Sequence, residues 1–316
     1  MKSEWDIINK IRQLTGERSQ DGKIAGIGDD CAAYEIAKGR YGLFSADINI
    51  EGVHFDLSYT SLFDAGYRSM SANISDIFAS GGKPILTLVS LGISSSTTEE
   101  NIEALYKGIK SCCDKYNVFI AGGDISKSEK LVISIAIYGE TNQYISRENA
   151  QVGDYIYLTG NTGLSKLGLE LLQKGEDISD YPSAVKKHLQ PEPQGTLIDI
   201  ILQNFSPTAM IDISDGMLSD LGHICKESKK GFVIEGGKIP HHSEIYKFCN
   251  GEKNKMLDYS LTSGEEYELI FTSKIFNDSF NNITCIGRII ESGFFLEIDN
   301  SLREIKLTGY DHFSKK

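Results

Sequence analysis

Short apolar runs with the character of strands alternate with helical patterns along the whole chain, and this alternation limits the folds open to it. Strands are predicted at 41–47, 85–93, 131–139, 155–159, 210–213, 231–235, 268–272, 283–290 and 294–298. Amphipathic helices are predicted at 3–15, 61–80, 98–116, 164–173, 195–204 and 217–229. Interleaved strands and helices are typical of α/β and α+β folds, and we expect mixed rather than purely parallel sheets.

The chain has 316 residues, enough for two domains that each bury a core. The polar stretch at 141–153 separates two blocks of strands and helices and is the predicted junction. The expected units are an N-terminal α+β domain at 1–140 and a C-terminal α/β domain at 150–316. Both blocks contain a predicted strand that ends in an aspartate and leads into a helix, which indicates two related halves.

Two of the predicted helices begin with N-capping pairs. The pairs are Ser61 with Asp64 and Thr97 with Glu100, each a hydroxyl followed three residues later by an acidic side chain. A hydroxyl at this position accepts a backbone N–H that the helix leaves unpaired, so both pairs predict the residue at which a helix starts.

The net charge restricts the partners. Lys and Arg number 32 against 44 Asp and Glu, a formal charge of −12, which argues against nucleic-acid binding through a basic surface. No stretch approaches the roughly 18 apolar residues of a membrane span, and the N-terminus lacks the apolar core of a signal peptide. We expect a cytoplasmic protein with no membrane or nucleic-acid partner. The six cysteines form no C-x-x-C pair and are expected to be free thiols.

Aspartates follow small residues in four segments that are predicted to lie at strand ends or turns. The segments are Gly28-Asp29-Asp30, Ser45-Ala46-Asp47, Gly122-Gly123-Asp124 and Asp212-Ile213-Ser214-Asp215-Gly216. Asp76 can join them from its helix. One such segment alone is typical of a turn, but together they indicate a Mg²⁺ site, because Mg²⁺ prefers carboxylate oxygens and carries substrate phosphates. Several Mg²⁺ ions would let so acidic a protein bind a triphosphate.

The common nucleotide and hydrolase signatures are absent. The segment from Gly122 to Ser128 superficially resembles a phosphate loop, but Ser126 stands where the glycine before Lys127 is required. No G-x-G-x-x-G follows the first strand, and no G-x-S-x-G or H-E-x-x-H occurs. These absences argue against P-loop, dinucleotide-binding, serine-hydrolase and zinc-protease sites.

Eight runs of the sequence together resemble the bacterial thiamine-monophosphate kinases. They are GIGDDCA (26–32), SADINIEGVHF (45–55), SANISDIFASGGKP (71–84), AGGDIS (121–126), GDYIYLTG (153–160), IDISDGMLSDLGHI (211–224), LTSGEEYELIFT (261–272) and GYDHF (309–313). The acidic runs alone indicate only the wider superfamily of aminoimidazole-ribonucleotide synthetase-like ATP enzymes. The resemblance implies the two-domain architecture of that superfamily, a homodimer formed through the first domain, and ATP-dependent phosphorylation of thiamine monophosphate, the final step of thiamine diphosphate biosynthesis.

The resemblance also implies the site residues. The implied Mg²⁺ ligands are Asp30, Ser45, Ala46, Asp47, Asp76, Asp124, Asp212 and Asp215. The implied nucleotide contacts are Tyr106, Gly123, Asp124, Arg147 and Ser214. The implied substrate contacts are His54, Glu265 and Tyr310, and the implied catalytic residues are Asp47, Asp76 and Asp124. The alternatives to these roles are a surface arginine for Arg147, a packing residue for His54 and for Tyr310, and a turn residue for Glu265.

The sequence departs from the family at three positions. Ala46 stands where threonine is usual, so a metal contact there must use the backbone carbonyl; Glu266 replaces an aspartate, and Ile48 replaces a polar or small residue. Two alternatives stay open at this point. One is another ATP-dependent enzyme of the superfamily, such as a cyclo-ligase or a selenophosphate synthetase, and the other is a non-catalytic nucleotide-binding module.

Overall fold

The computed structural model describes residues 4–15 and 24–310. Its helices are α1 (Glu4–Thr15), α2 (Leu62–Ala79), α3 (Glu99–Tyr116), α4 (Leu164–Lys174), α5 (Pro182–Leu189), α6 (Ile198–Phe205), α7 (Met217–Ser228), α8 (Ser243–Phe248) and α9 (Lys253–Thr262). Its strands are β1 (Ile24–Ala25), β2 (Ala32–Ala37), β3 (Arg40–Ile50), β4 (Lys83–Ile93), β5 (Phe119–Lys127), β6 (Val132–Thr141), β7 (Tyr155–Thr159), β8 (Ala209–Asp212), β9 (Gly231–Glu235), β10 (Leu269–Ser273), β11 (Ile283–Ile290), β12 (Phe294–Ile298) and β13 (Ser301–Glu304). The predicted mixed α/β class is confirmed.

The first sheet has the strand order β1-β2-β3-β6-β4-β5. Strands β4 and β5 run parallel, and the other neighbouring pairs are antiparallel. The longest pairing joins β3 to β6 and sets Asp47 opposite Ile135. Because side chains alternate along a strand, Ser45 and Asp47 share one face of the sheet, whereas Phe44 and Ala46 share the other.

The second sheet has the order β13-β12-β9-β11-β7-β10-β8. Strands β9 and β12 run parallel, and the other neighbouring pairs are antiparallel. Both sheets are therefore mixed, as predicted. Helices α7 and α9 contribute Leu221, Ile224 and Leu257 to an apolar cluster with this sheet, and β8 at the sheet edge ends on Asp212.

Helix α2 lies between the two sheets. It begins as predicted, since Ser61 is the N-cap and its Oγ accepts the backbone N–H of Asp64 at 3.1 Å. Ile77 of α2 is fully buried in an apolar cluster that also contains Tyr157 and Phe271 of the second sheet. This helix therefore positions side chains against both sheets at once.

The chain crosses from the first sheet to the second between Thr141 and Tyr155. Residues of both sheets share the apolar cluster around α2, so burial is continuous across the crossing. The division into domains at 1–140 and 150–316 stays a prediction.

Helix α3 packs along α2 at very short range. A Cβ on Gly108 would lie 1.9 Å from the backbone oxygen of Phe63, so the helices meet at a residue without a side chain. The predicted start of α3 is wrong by one residue, because Thr98 rather than Thr97 is the N-cap. Thr98 and Asn101 form a reciprocal capping box at 3.3 and 3.1 Å, which satisfies two backbone donors.

Two aspartates that were expected to end strands lie inside them. Strand β3 continues from Asp47 to Ile50, because these residues keep pairing with β6. Strand β5 likewise runs through Asp124 while pairing with β4. Asp212 does end its strand, and Asp30 lies in the turn before β2.

The sequence analysis missed helix α5. Pro182 is its first helical residue, a position at which the missing N–H costs no intrahelical hydrogen bond. The helix carries Lys187 and His188 into the space beside α2, where both side chains are nearly inaccessible.

The cysteine prediction is confirmed, since all six are free thiols, five of them buried and Cys285 half-buried. Within residues 4–15 and 24–310, the helices are too short or too polar to cross a membrane.

Candidate active site

Carboxylates from separate parts of the chain meet beside α2. Carboxylate oxygens of Asp30, Asp76 and Asp212 lie within 4.8 Å of one another. Asp30 comes from the turn before β2, Asp76 from α2 and Asp212 from the end of β8. Asp47 on β3 lies near enough for its charge to act on Asp76 and Asp212. We call these four side chains the acidic cluster.

Burial and mutual repulsion raise the pKa values in the acidic cluster. Burial, followed by the charge of Asp30, raises the pKa of Asp47 to about 6 and that of Asp212 to about 8. Burial and the charges of the other three members raise the pKa of Asp76 well above its usual value. Buried like charges disfavour ionisation, so the cluster is short of positive charge at neutral pH.

Two serines orient the acidic cluster. The Ser45 hydroxyl donates to Asp76, and Ser75 Oγ donates to Asp212 Oδ2 at 2.5 Å. Ser75 directly precedes Asp76 on α2, so one turn of this helix supports two carboxylates. Ser75 lies within the quoted run SANISD, but nothing in the sequence alone pairs it with a residue 137 positions away.

Arg147 brings a positive charge to the acidic cluster. Its guanidinium forms an ion pair with Asp30, and the side chain is 14% exposed. Its Nε lies 3.4 Å from Asp30 Oδ2. This places the predicted nucleotide contact directly against Asp30, one of the predicted metal ligands.

Asp29 is a site residue to which the sequence analysis gave no role. It accepts hydrogen bonds at 2.6 Å from the Tyr144 hydroxyl and from the backbone N–H of Arg147. Burial raises the pKa of Asp29 to about 6 against the effect of these two donors. Asp29 thereby ties the turn that carries Asp30 to the segment that carries Arg147.

Three other predicted residues lie on the first sheet. Gly123 stands in the same cross-strand row as Asp47, and a Cβ there would lie 1.7 Å from the backbone oxygen of Val89, so only glycine fits. Asp124 is exposed in the next row, and Ala46 faces away from Asp47 by strand alternation. Among the described residues, the three aspartates whose carboxylate oxygens lie within 4.8 Å of one another are Asp30, Asp76 and Asp212, and Asp124 is not one of them.

Asp220 organises the loop that follows β8, and the sequence analysis missed it. Its Oδ2 accepts the backbone N–H groups of Ser214, Asp215 and Gly216 at 3.0, 3.1 and 3.0 Å. These donors favour the charged carboxylate, whereas burial and the charge of Asp215 raise its pKa. Asp215, Asp220 and His223 form a second group whose ligand atoms lie within 4.8 Å of one another.

The three predicted substrate contacts lie beside the acidic cluster. The charge of His54 acts on Glu265, and burial followed by the charges of Glu265 and Asp215 raises the pKa of Tyr310. The backbone N–H of Tyr310 donates to the carbonyl of Asp215 at 3.1 Å. Tyr267 links the two regions, because Glu265 and members of the acidic cluster both raise its phenol pKa beyond the effect of burial.

The backbone around His54 determines its tautomer. Its Nδ1 lies 3.0 Å from the backbone nitrogen of Ile50, and a backbone N–H can only donate. Nδ1 therefore carries no proton, and in the neutral ring the proton is on Nε2. The turn is closed by hydrogen bonds from His54 N to Ile50 O at 2.9 Å and from Gly52 N to Phe55 O at 2.7 Å.

Tyr106 has a different environment from the other predicted residues. It lies half-buried on α3, packed against the apolar cluster around α2. Burial raises the pKa of its phenol. Its role as a nucleotide contact stays a prediction. The quoted run GYDHF falls partly on residues 311–313, which lie outside the described residues.

The acidic cluster has the chemistry of a site for a hard divalent cation. Carboxylate and hydroxyl oxygens are ligands that Mg²⁺ prefers. A cation would also relieve the repulsion that raises these pKa values, displacing protons as it binds. The donor set therefore fits Mg²⁺, and the side chains that could hold it are Asp30, Asp47, Asp76, Asp212 and Ser45.

Comparison with known proteins gives a consistent result over the full length. The family described as AIR synthase related protein, N-terminal domain, matches residues 28–141. A thiamine-monophosphate kinase of Aquifex aeolicus (strain VF5) is 34% identical over 315 residues, covering 98% of both chains. The thiamine-monophosphate kinase of Bacillus subtilis (strain 168) is 33% identical over 98% of this chain and 99% of its own. The solved structure of AaThiL complexed with AMPPCP and TMP superposes with a TM-score of 0.88 at 32% identity, covering 98% of this chain and 97% of that one.

Proposed function

Since the chain belongs to the thiamine-monophosphate kinase family, we propose that it transfers the γ-phosphoryl group of ATP to thiamine monophosphate, forming thiamine diphosphate and ADP. The observation that carries this proposal is the acidic cluster, and both its members Asp47 and Asp212 and the predicted substrate contact Glu265 act on Tyr267. The likeness to AaThiL complexed with AMPPCP and TMP supports the same pair of substrates. The reaction completes the synthesis of thiamine diphosphate.

The acidic cluster is the proposed binding site for several Mg²⁺ ions. Bound Mg²⁺ supplies positive charge for the triphosphate and for the transferring phosphoryl group. The chain contributes oxygen ligands from the cluster, and Ser45 and Ser75 fix the orientation of two of its carboxylates. The remaining proposed ligands are the Ala46 carbonyl, Asp124 and Asp215.

Arg147 is the proposed direct contact to the nucleotide phosphates. Its guanidinium already lies at the acidic cluster, paired with Asp30. A phosphate oxygen offers the same planar fork a second acceptor, and such bidentate contacts are typical of arginine. Gly123, Asp124, Ser214 and Tyr106 complete the proposed nucleotide site.

Glu265, His54 and Tyr310 are the proposed contacts to thiamine monophosphate. Glu265 is a carboxylate whose pKa is lowered by Arg68 against the effect of burial, so it stays ionised and suits the cationic thiazolium or the aminopyrimidine. The Nε2–H of His54 can donate to the substrate phosphate or to thiamine. The ring of Tyr310 is half exposed and can stack on a substrate ring.

The proposed transfer is a direct in-line attack by an oxygen of the substrate phosphate on the γ-phosphorus. A phosphomonoester with a second pKa near 6 is mostly dianionic at neutral pH, so no strong general base is needed. The work of the protein is then to position two anions and to offset their charge. Asp47, Asp76 and Asp124 are the proposed catalytic residues in this sense.

A homodimer through the first sheet is part of the proposal. Phe44, Ile48 and Leu88 are 50%, 52% and 45% exposed on the face of that sheet away from α2. Phe119 on the edge strand β5 is 71% exposed. Exposed apolar patches of this kind are typical of protein interfaces, and a second copy of the chain would cover them.

A coupled assay for thiamine diphosphate tests the proposed function. Purified protein is mixed with ATP, Mg²⁺ and thiamine monophosphate, with a magnesium-free control and with free thiamine as a decoy substrate. We expect product only with Mg²⁺ and the monophosphate.

Two other outcomes would contradict the proposal. Turnover of ATP with a different acceptor would indicate another ATP-dependent enzyme of the superfamily. Mg²⁺-dependent ATP binding by a folded protein that forms no product with any acceptor would indicate a non-catalytic nucleotide-binding module.

A further inference from the structure

Arg68 is an arginine buried in the middle of the molecule. It lies on α2, and its side chain is 2% exposed. Arginine is almost never fully buried unless it is paired, because removing a charge from water is costly. The partners of Arg68 therefore indicate why the chain tolerates it.

The guanidinium has two partners that are distant from it in the sequence. Its Nη2 lies 2.5 Å from Oε1 of Glu265, and its Nη1 lies 3.1 Å from Nε2 of His188 on α5. Arg68 belongs to the helix that packs on the first sheet, whereas Glu265 and His188 follow in the second half of the chain. The ion pair thus joins the two halves at the side of the acidic cluster.

The contact with Arg68 determines the tautomer of His188. A guanidinium can only donate, so His188 Nε2 accepts and the ring proton is on Nδ1. That Nδ1 lies 3.5 Å from Ser165 Oγ and 4.0 Å from Glu265 Oε2. Burial and Arg68 lower the pKa of His188 to about 3, so the ring is neutral and adds no charge. His188 fills one side of the guanidinium fork and leaves the other side to Glu265.

The backbone of Glu265 is fixed independently of Arg68. Its φ of 54° lies in the left-handed region, which is uncommon for residues other than glycine. Its backbone N–H donates to the carbonyl of Ser214 at 2.7 Å, and that of Glu266 donates to Ile213 at 3.1 Å. Hydrogen bonds within the second half of the chain therefore fix the backbone of Glu265, whereas Arg68 on α2 fixes the position of its carboxylate.

We infer that Arg68 is a positioning residue for thiamine monophosphate, acting through the carboxylate of Glu265, with His188 as the neutral support of the guanidinium. This inference rests on the proposed function. Arg68 occupies Oε1 of Glu265, and the side chain of Glu265 is still 32% exposed, so part of the carboxylate can reach a ligand. The guanidinium restricts the rotamer of a flexible side chain before substrate arrives, which lowers the entropy that binding must overcome.

The test uses Arg68→Lys and Arg68→Gln, with Arg303→Gln on the exposed strand β13 as the matched control. Lysine keeps the charge without the fork, and glutamine removes the charge. We expect the KM for thiamine monophosphate to rise about tenfold in Arg68→Lys and more in Arg68→Gln, since tenfold corresponds to about 1.4 kcal/mol. The KM for ATP should change less than about threefold, and the control should match the wild type.

A second background separates positioning from general damage and keeps the test valid if Arg68→Gln does not fold. In Glu265→Gln, the carboxylate that Arg68 holds is absent, so adding Arg68→Lys should raise the KM for thiamine monophosphate no further. Equal rises in the KM for both substrates, or additive effects in the double variant, would overturn the inference. Wild-type protein that does not phosphorylate thiamine monophosphate at all would instead overturn the proposed function on which the inference rests.

Discussion

Tyr267 lies near both the acidic cluster and a second set of ionisable side chains, and the two sets differ in whether cations accompany their carboxylates. The second set, which we call the paired cluster, comprises Arg68, Lys187, His188, Glu265, Glu266 and Glu268. In the paired cluster, Lys187 Nζ lies 2.7 Å from Glu268 Oε1 and 4.0 Å from Glu266 Oε2, and Arg68 holds Glu265. In the acidic cluster, four carboxylates lie near one another, and Arg147 forms an ion pair with Asp30.

Asp76 and Glu265 show what decides the charge of a carboxyl group in this interior. Burial is the largest effect on both and raises both pKa values. Three neighbouring carboxylates raise the pKa of Asp76 further, whereas Arg68 brings that of Glu265 below its usual value. The paired cluster therefore contains cations of its own beside its carboxylates, whereas the carboxylates of the acidic cluster mainly raise one another's pKa values.

Asp47→Asn should give the largest effect. It removes a carboxylate of the acidic cluster at constant shape, so turnover should fall about 10³-fold, as expected when one group that stabilises a developing charge is lost. Stability should stay the same or increase, because repulsion within the cluster decreases. Steady-state turnover at saturating Mg²⁺ and a thermal melt without Mg²⁺ measure the two quantities.

Asp114→Asn is the matched control for that experiment. Asp114 is exposed on α3 and pairs with Lys110, and it has no proposed role in the site. It should leave both turnover and melting temperature unchanged. If Asp47→Asn unfolds the protein but turns over normally when folded, the acidic cluster is structural and the comparison fails.

Lys187→Met should give the opposite pattern. It leaves Glu268 and Glu266 buried without their cation, and breaking one side of a buried pair costs about 3 kcal/mol. The free energy of unfolding in urea should fall by that amount, while kcat of the folded enzyme changes little. A large loss of kcat at unchanged stability would instead indicate that Lys187 takes part in catalysis.

The neighbouring residue provides the control for Lys187→Met. Lys186 forms an ion pair with Glu192 at 3.0 Å, but its side chain is 63% exposed. Exposed pairs contribute about 0–1 kcal/mol, so Lys186→Met should cost less than about 1 kcal/mol. Equal losses in the two variants would show that burial does not distinguish the pairs.

The helices and strands that could be predicted are those whose signals lie within the element itself. The hydroxyl of Ser61 and the apolar period of α2 lie within one helix, and the helix starts where they predict. The error at Asp47 arose because the end of a strand is set by its partner, and β6 pairs with β3 three residues beyond that aspartate. No helix was predicted at α5, although Pro182 occupies the first helical turn, which accepts proline.

The carboxylates of the acidic cluster could be predicted from the sequence, but the side chains that support the site could not. The aspartates after small residues predicted a cation site together with Asp76, and the carboxylate oxygens of Asp30, Asp76 and Asp212 do meet. The residues that hold the site in place were missed because their partners are distant in sequence. Arg68 is an example, since its ion pair with Glu265 depends on how the two halves of the chain pack.

His188→Gln tests the paired cluster through pH. The folded-state pKa of His188 is about 3, below the ordinary 6.5, so below pH 6.5 the unfolded chain binds a proton that the folded protein does not. Stability from this group is therefore complete above about pH 6.5 and is lost as pH falls towards 3. Glutamine keeps an acceptor for Arg68 but does not titrate. Between pH 6.5 and 4.5 the wild type should lose about 2 kcal/mol more than the variant, at about 1.4 kcal/mol per pKa unit. Parallel urea-unfolding curves across this range would contradict the assignment.

Glu266→Asp should give the smallest effect. Glu266 Oε1 accepts the backbone N–H groups of Gly163 and Ser165 at 2.7 and 3.0 Å, so it caps α4 from a distant loop. Gly163, the N-cap residue itself, has no side chain for this purpose. Removing one methylene withdraws the carboxylate from the helix, and a lost cap costs about 1 kcal/mol.

The shorter side chain at Glu266→Asp also sharpens the comparison of the two clusters. Aspartate keeps the negative charge near Lys187. The loss of stability therefore measures how far the side chain must extend to cap α4, not the ion pair with Lys187. Because Glu266 follows Glu265, relaxation of the loop should raise the KM for thiamine monophosphate about twofold without changing the KM for ATP. A urea titration and the two KM values measure these effects, with Glu291→Asp as the control at an exposed position. An unchanged free energy of unfolding would mean that the loop follows the shorter side chain, and that backbone hydrogen bonds such as that from Glu265 to Ser214 are enough to hold the left-handed turn.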